Sequence, residues 1–149
     1  MRHATAEPTG PDGLDASRRL ADVGHDEAAS LAKQIAAAEP KPRRIIASPA
    51  VRAQQTAIPI AEALGLTLET EARIACNRPT PIARDAVSQS TDGTMYVGHN
   101  PTLGELLGTM VGGIAAPPAR FRKAQACLLT SAADSPQPGD WTVEILLQG

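Results

Sequence analysis

Two histidines and two arginines, in three short segments, carry the chemistry this chain offers: Arg2-His3 at its start, Arg52 within Ser48-Pro49-Ala50-Val51-Arg52-Ala53-Gln54-Gln55-Thr56-Ala57, and His99 within Val97-Gly98-His99-Asn100. A neutral imidazole can attack phosphorus when a hydrogen bond at one ring nitrogen aims the other. His3 is the candidate for that attack. Arginines bind phosphoryl oxygens in fork geometry and offset the charge that develops on them, so Arg2 and Arg52 would flank the group. His99 would be a second donor to the same oxygens. Arg18, Ser48 and Asn100 are candidate substrate-binding residues around them, and a helix opening at Ser48-Pro49 would aim free backbone N–H groups the same way. Such a set does the charge work itself, which calls for no cofactor. No carboxylate or second ligand stands at metal spacing beside either histidine, so no metal site is expected.

Positioning these side chains requires strands that end where they begin. Apolar residues Ala28, Leu31, Ala32, Ile35 and Ala36 follow a helical rhythm over 22–38, closed by Pro40 and Pro42. Ile45 and Ile46 mark a short strand over 43–47, and Ser48-Pro49 opens a helix running to Leu64, stopped by Gly65 and bent at Pro59. A strand over 66–69, a helix over 81–89, a strand over 95–97 and a helix over 102–111 follow, then strands over 125–130 and 141–147. Alternating strands and helices predict one domain over 1–149, a three-layer α/β/α sandwich with a mostly parallel central sheet. The candidate residues then fall at strand ends, where open α/β sheets build their ligand crevices.

Composition removes several classes of partner. The net charge of -2 and the single Trp, Tyr and Phe give no footprint for nucleic acid. No apolar run approaches the ~18 to 20 residues of a membrane span, and the first residues lack the apolar core of a signal peptide. Cys76 and Cys127 lie far apart, against a disulfide framework, so a cytoplasmic setting is expected. Arg43-Arg44 and the cluster Arg120, Arg122 and Lys123 read as solvated faces, though either suits an acidic partner protein.

The three segments carry a family resemblance. Arg2-His3-Ala4 resembles the Arg-His-Gly or Arg-His-Ala signature of the histidine phosphatase superfamily, whose members are phosphoglycerate mutase-like, and Val97-Gly98-His99-Asn100-Pro101 resembles its second-histidine segment. Arg18-Arg19-Leu20 with Gly24, and Ser48-Pro49 through Ala57, are similar to motifs of the small branch typified by the phosphohistidine phosphatase SixA, a branch associated with signal transduction. The resemblance implies a hydrolase that forms a covalent phosphohistidine intermediate. His3 would be the nucleophile, with Arg2, Arg52 and His99 holding the phosphoryl group, and no cap domain would cover the site. Its partners would be a phosphohistidine-bearing protein or a small phosphorylated substrate, with inorganic phosphate as product. A small-molecule ester phosphatase of the same superfamily is the alternative, and a phosphate-recognising module without turnover is the alternative of another class.

Departures from the family pattern qualify these expectations. In relatives an apolar strand precedes Arg-His, whereas only Met1 stands before Arg2 here. The first sheet strand is therefore expected to be truncated, with residues upstream of Met1 in the natural protein; if the chain begins at Met1, His3 is expected on a fraying end. Asp22 is expected to cap the first long helix, since Ala21 stands where relatives place Thr. No carboxylate sits in an obvious general-acid motif; Glu7, Asp12, Asp15, Glu69 and Glu71 are candidates by proximity alone. A phosphohistidine substrate relaxes that need, because imidazole, with a ring pKa of about 6.5, leaves far more readily than an alkoxide.

Overall fold

Ile45, Ile46 and Ala47 form the centre of the molecule because consecutive strand residues face opposite ways. They belong to the strand Arg44–Ala47 (β1) of a computed structural model that describes residues 1–149. Ile45 and Ala47 face the helices Asp22–Ala37 (α1) and Val51–Leu64 (α2), where they meet Ala28, Leu31, Ala53 and Ile60. Ile46 faces the other way, onto Ala83 and Ala86 of the helix Thr80–Ser88 (α3) and Leu106 of Thr102–Gly112 (α4). Burying both faces of one short strand gives the three layers expected from the sequence.

β1 pairs in parallel with Leu68–Thr70 (β2) on one side and Thr94–Val97 (β3) on the other. Gln125–Thr130 (β4) and Thr142–Gln148 (β5) form an antiparallel pair. Residues 1–3 join the two groups. Arg2 pairs in parallel with Gly98, the His3 N–H donates to the Gly98 carbonyl at 3.0 Å, and the Gly98 N–H donates to the Met1 carbonyl at 3.0 Å. On the opposite side the Arg2 N–H donates to Gln125 at 2.9 Å, and the Ala124 N–H to the His3 carbonyl at 3.1 Å. The order is thus β2-β1-β3, then residues 1–3, then β4-β5.

The fraying expected at His3 is not what the structure shows. Three residues bonded on both edges, with Met1 8% and His3 6% exposed, are held as a sheet interior is. Nor does Asp22 cap α1. It is the first helical residue, where its charge complements the positive end of the helix dipole, and the cap is Ala21, whose side chain makes no bond. The chain enters α1 instead through the Ala21 N–H, which donates to the Thr5 carbonyl at 3.1 Å. Gly24 permits that approach: a Cβ there would stand 1.9 Å from the Thr5 carbonyl oxygen. α2 continues through Pro59 as one helix and ends at Gly65, in the left-handed region at φ 65°. No helix is long and apolar enough to cross a membrane.

Candidate active site

His3 lies at the carboxyl end of the segment 1–3, Ser48 immediately after β1 and His99 two residues past β3. Arg52 occupies the first turn of α2. Parallel strands ending side by side therefore converge four polar side chains that are each at least 94% buried. Burying polar groups this deeply is unfavourable unless they are hydrogen-bonded, and here they bond in pairs to one another and to Ala4, Ala50 and Asp15 around them.

The His3 ring is oriented at both nitrogens. Nδ1 lies 2.7 Å from the Ala4 carbonyl, which can only accept, so the ring proton sits on Nδ1. Nε2 then carries the lone pair and accepts from Arg52 Nε at 3.2 Å. Thr56, fully buried, fixes the two elements relative to each other. Its Oγ1 accepts from the Ala4 N–H at 3.1 Å and donates to the Arg52 carbonyl at 2.6 Å. His99 is tilted 53° to His3 with ring centres 5.0 Å apart, and its Nε2 lies 2.8 Å from Ser48 Oγ. Ser48 Oγ also accepts from the Ala50 N–H, and with one hydrogen and a second lone pair it can pair with either tautomer of the His99 ring. His99 Nδ1 is buried with no protein partner.

Asp15 completes the arrangement. Its carboxylate takes Arg52 Nη2 at 2.8 Å and Arg18 Nη1 at 2.8 Å, and its carbonyl accepts from Arg52 Nη1. The fork of Arg52 is thereby held so that its Nε edge faces His3. The sequence suggested Asp15 only as a candidate acid or a partner for Arg18; the i, i+3 spacing to Arg18 was the one local signal for its place. Thr56 was not singled out at all.

Arg2, Arg18 and Asn100 stand around this group. Arg18 reaches it through Asp15 and is also tied to the Glu7 carbonyl at 2.6 Å. Arg2 Nη1 and Asn100 Nδ2 both donate to the Phe121 carbonyl, at 3.0 and 2.8 Å, on the rim of an adjoining basic cavity.

Burial and positive charge hold both imidazoles neutral. Burial, then Arg52, Arg2 and Lys123, lower the pKa of His3 to about 4; burial, then His3 and Arg52, lower that of His99 to about 3. An unfolded histidine takes up its proton near pH 6.5, whereas these two resist until far lower pH, so the fold loses stability as pH falls from about 6.5 toward 4. In an NMR titration the His3 and His99 ring resonances are expected to stay at their neutral positions down to about pH 5. Added inorganic phosphate should shift both titrations upward, since an anion among them favours the charged ring. Midpoints near 6.5 without phosphate would contradict this electrostatic picture.

The candidate acids fare differently. Arg18 first, then Arg52, holds the Asp15 carboxyl far below the usual range. Glu69 is lowered by Arg44, which binds it through two bonds of 2.6 Å, and Glu71 by Arg73 at 2.7 Å. Asp12 is lowered by bonds from the Ser17 hydroxyl and the Leu14 N–H. Four of the five are thus held ionised and are poor proton donors.

The sequence model of the histidine phosphatase superfamily (branch 1) matches residues 1–76, which contain His3, Arg18, Ser48 and Arg52. The chain belongs to this superfamily. Among solved structures it is similar to a protein assigned as the phosphohistidine phosphatase SixA of Agrobacterium tumefaciens. Identity is 27%, coverage 99% of this chain and 94% of that one, and the TM-score 0.80. The protein histidine phosphatase SixA in complex with tungstate shares the fold at 20% identity and TM-score 0.81, covering 99% of this chain and 94% of that one. A mycobacterial glucosyl-3-phosphoglycerate phosphatase does so at 15% identity and TM-score 0.72, with 97% and 94% coverage. No curated protein matches.

Proposed function

We propose that this member of the histidine phosphatase superfamily is a phosphatase that removes phosphate from phosphohistidine on a protein, through a phosphohistidine intermediate on His3. The observation that carries the reading is the His3 ring: neutral, proton fixed on Nδ1 by Ala4, lone pair of Nε2 directed at the Arg52 and His99 side. In the first step the Nε2 lone pair forms a bond to phosphorus while the bond from phosphorus to the substrate nitrogen breaks, its electron pair leaving with that nitrogen. A substrate imidazole protonated at its other ring nitrogen leaves as a neutral molecule, with no proton delivered at the breaking bond. In the second step water attacks phosphorus, the bond to Nε2 breaks, and inorganic phosphate and a proton are released. In this reading His99 carries its proton on the unpartnered Nδ1, and that N–H and Arg52 bind the phosphoryl oxygens, with Arg2 adding positive charge at the rim. Arg18 acts through Asp15, while Ser48 and Asn100 position what surrounds the group.

The pairing of Asp15, Glu69 and Glu71 with arginines supports the substrate class, because an alkoxide leaving group needs a proton that these carboxylates are poorly placed to give. The likeness to the SixA assignment from Agrobacterium tumefaciens supports the same substrate. We place the activity in the cytoplasm, in keeping with two unpaired cysteines. The test is turnover: kcat/KM for a phosphohistidine peptide and for phosphoramidate is expected to exceed that for 3-phosphoglycerate by about 10²-fold, the low end of what a missing general acid withholds from an alkoxide. Faster hydrolysis of the ester would make the protein a small-molecule ester phosphatase instead.

A further inference from the structure

The segment 120–123 has the sequence Arg-Phe-Arg-Lys, and the fold holds it rigidly beside the nucleophile. Phe121 is 4% exposed and anchors it, and its carbonyl is the acceptor shared by Arg2 and Asn100. The flanks are fixed as well. The Ala119 N–H donates to Gly104 at 2.8 Å, and a Cβ at Gly104 would stand 2.6 Å from the Ala119 carbonyl oxygen. Ala124 adopts φ 48°, a conformation unfavourable for a residue with a Cβ, and donates to the His3 carbonyl. The residue that follows the segment is therefore bonded directly, through its backbone, to the residue proposed to attack phosphorus.

With the aromatic ring turned inward, the side chains of Arg120, Arg122 and Lys123 are exposed. Together with Arg2 they line an open cavity of about 580 Å³, and none of the four is ion-paired. Four uncompensated cations side by side in a chain of net charge -2 are a strong local asymmetry. Small-molecule sites are mostly apolar and enclosing, whereas Phe121 is the only hydrophobic residue in this lining. An open cationic rim suits a macromolecular surface that brings its own negative charge.

Resting on the proposed phosphohistidine activity, we propose that Arg120, Arg122 and Lys123 form a docking surface for an acidic protein, reading carboxylates that flank the phosphohistidine while the phosphoryl group enters beside Arg2. The test uses the full chain and two phosphohistidine peptides of equal length, one with Asp and Glu flanks and one with Ser and Gln flanks, with phosphoramidate as a substrate lacking flanks. Wild type should favour the acidic peptide by roughly tenfold in kcat/KM at low salt, and the preference should shrink at about 0.5 M salt as exposed charges are screened. R120E/R122E should abolish the preference and R120Q/R122Q reduce it, with phosphoramidate turnover unchanged in both. Equal turnover of the two peptides by wild type would overturn the docking surface and leave the activity standing. Loss of phosphoramidate turnover in step with peptide turnover in both variants would overturn it too. Hydrolysis of 3-phosphoglycerate with none of either peptide would overturn the activity, and the docking surface with it.

Discussion

His3→Ala is expected to abolish turnover, by about 10⁴-fold or more, and to remove every trace of labelled phosphoenzyme. His99, the other imidazole of the site, is engaged at Nε2 by Ser48, and in the proposed mechanism its Nδ1 serves as a donor to the phosphoryl oxygens. The trapped species should survive alkali and be lost in acid, as a phosphoramidate is, so labelled substrate must be quenched in base. The variant should remain folded. The bonds that hold residue 3 in the sheet are made by its backbone, to Gly98 and Ala124, and the Ala4–Thr56 link does not involve the ring. His99→Ala is the informative partner: it should still form the phosphoenzyme, more slowly, because it removes a donor rather than the nucleophile. Retention of a tenth of the activity in His3→Ala would mean that another group attacks phosphorus, and no label in wild type would leave a phosphate-recognising module without turnover.

Arg52→Lys should lower kcat by about 10² to 10³, although the charge is kept. Arg52 is 3% exposed and uses three nitrogens in three directions: Nε to His3, Nη1 to the Asp15 carbonyl and Nη2 to the Asp15 carboxylate. An ammonium group is a point charge and cannot span His3 and Asp15 in one plane. The expected signature is a fall in kcat together with weaker binding of tungstate or inorganic phosphate. Stability should change less, since Asp15 is more than half exposed in its side chain and keeps Arg18. A lysine variant within about threefold of wild type would show that the fork geometry is unnecessary.

The layered fold was legible because its signals are local. Helical periodicity over 22–38, the Ser48-Pro49 start and Gly65 stop of the next helix, and the short apolar runs at Ile45-Ile46 and Met95-Tyr96-Val97 mark elements within a few residues of their observed limits. The same holds for His3, Arg52 and His99, which motifs place at strand and helix ends. What stayed hidden depends on contacts between distant parts of the chain. The Asp15–Arg52 pair spans 37 residues and Thr56–Ala4 spans 52. No spacing rule reaches so far. The start of α1 misled for a related reason: an acidic residue at position 22 looks like a cap, but the Thr5 carbonyl takes the Ala21 N–H and Gly24 lets the chain close against it.

By itself the sequence determined the inventory of chemistry, two histidines among arginines, and its placement at the ends of parallel strands, because residue types and periodicity are properties of short stretches. It could not say which arginine faces the nucleophile. Along an extended segment consecutive side chains diverge, so adjacent residues 2 and 3 serve different surroundings. The packing of α2 against β1 and residues 1–3 brings Arg52 to His3, while Arg2 reaches the Phe121 carbonyl and the basic segment beyond it. The tertiary structure likewise decided that the residues 1–3 are fixed rather than frayed, since only β3 on one side and β4 on the other supply the partners that hold them.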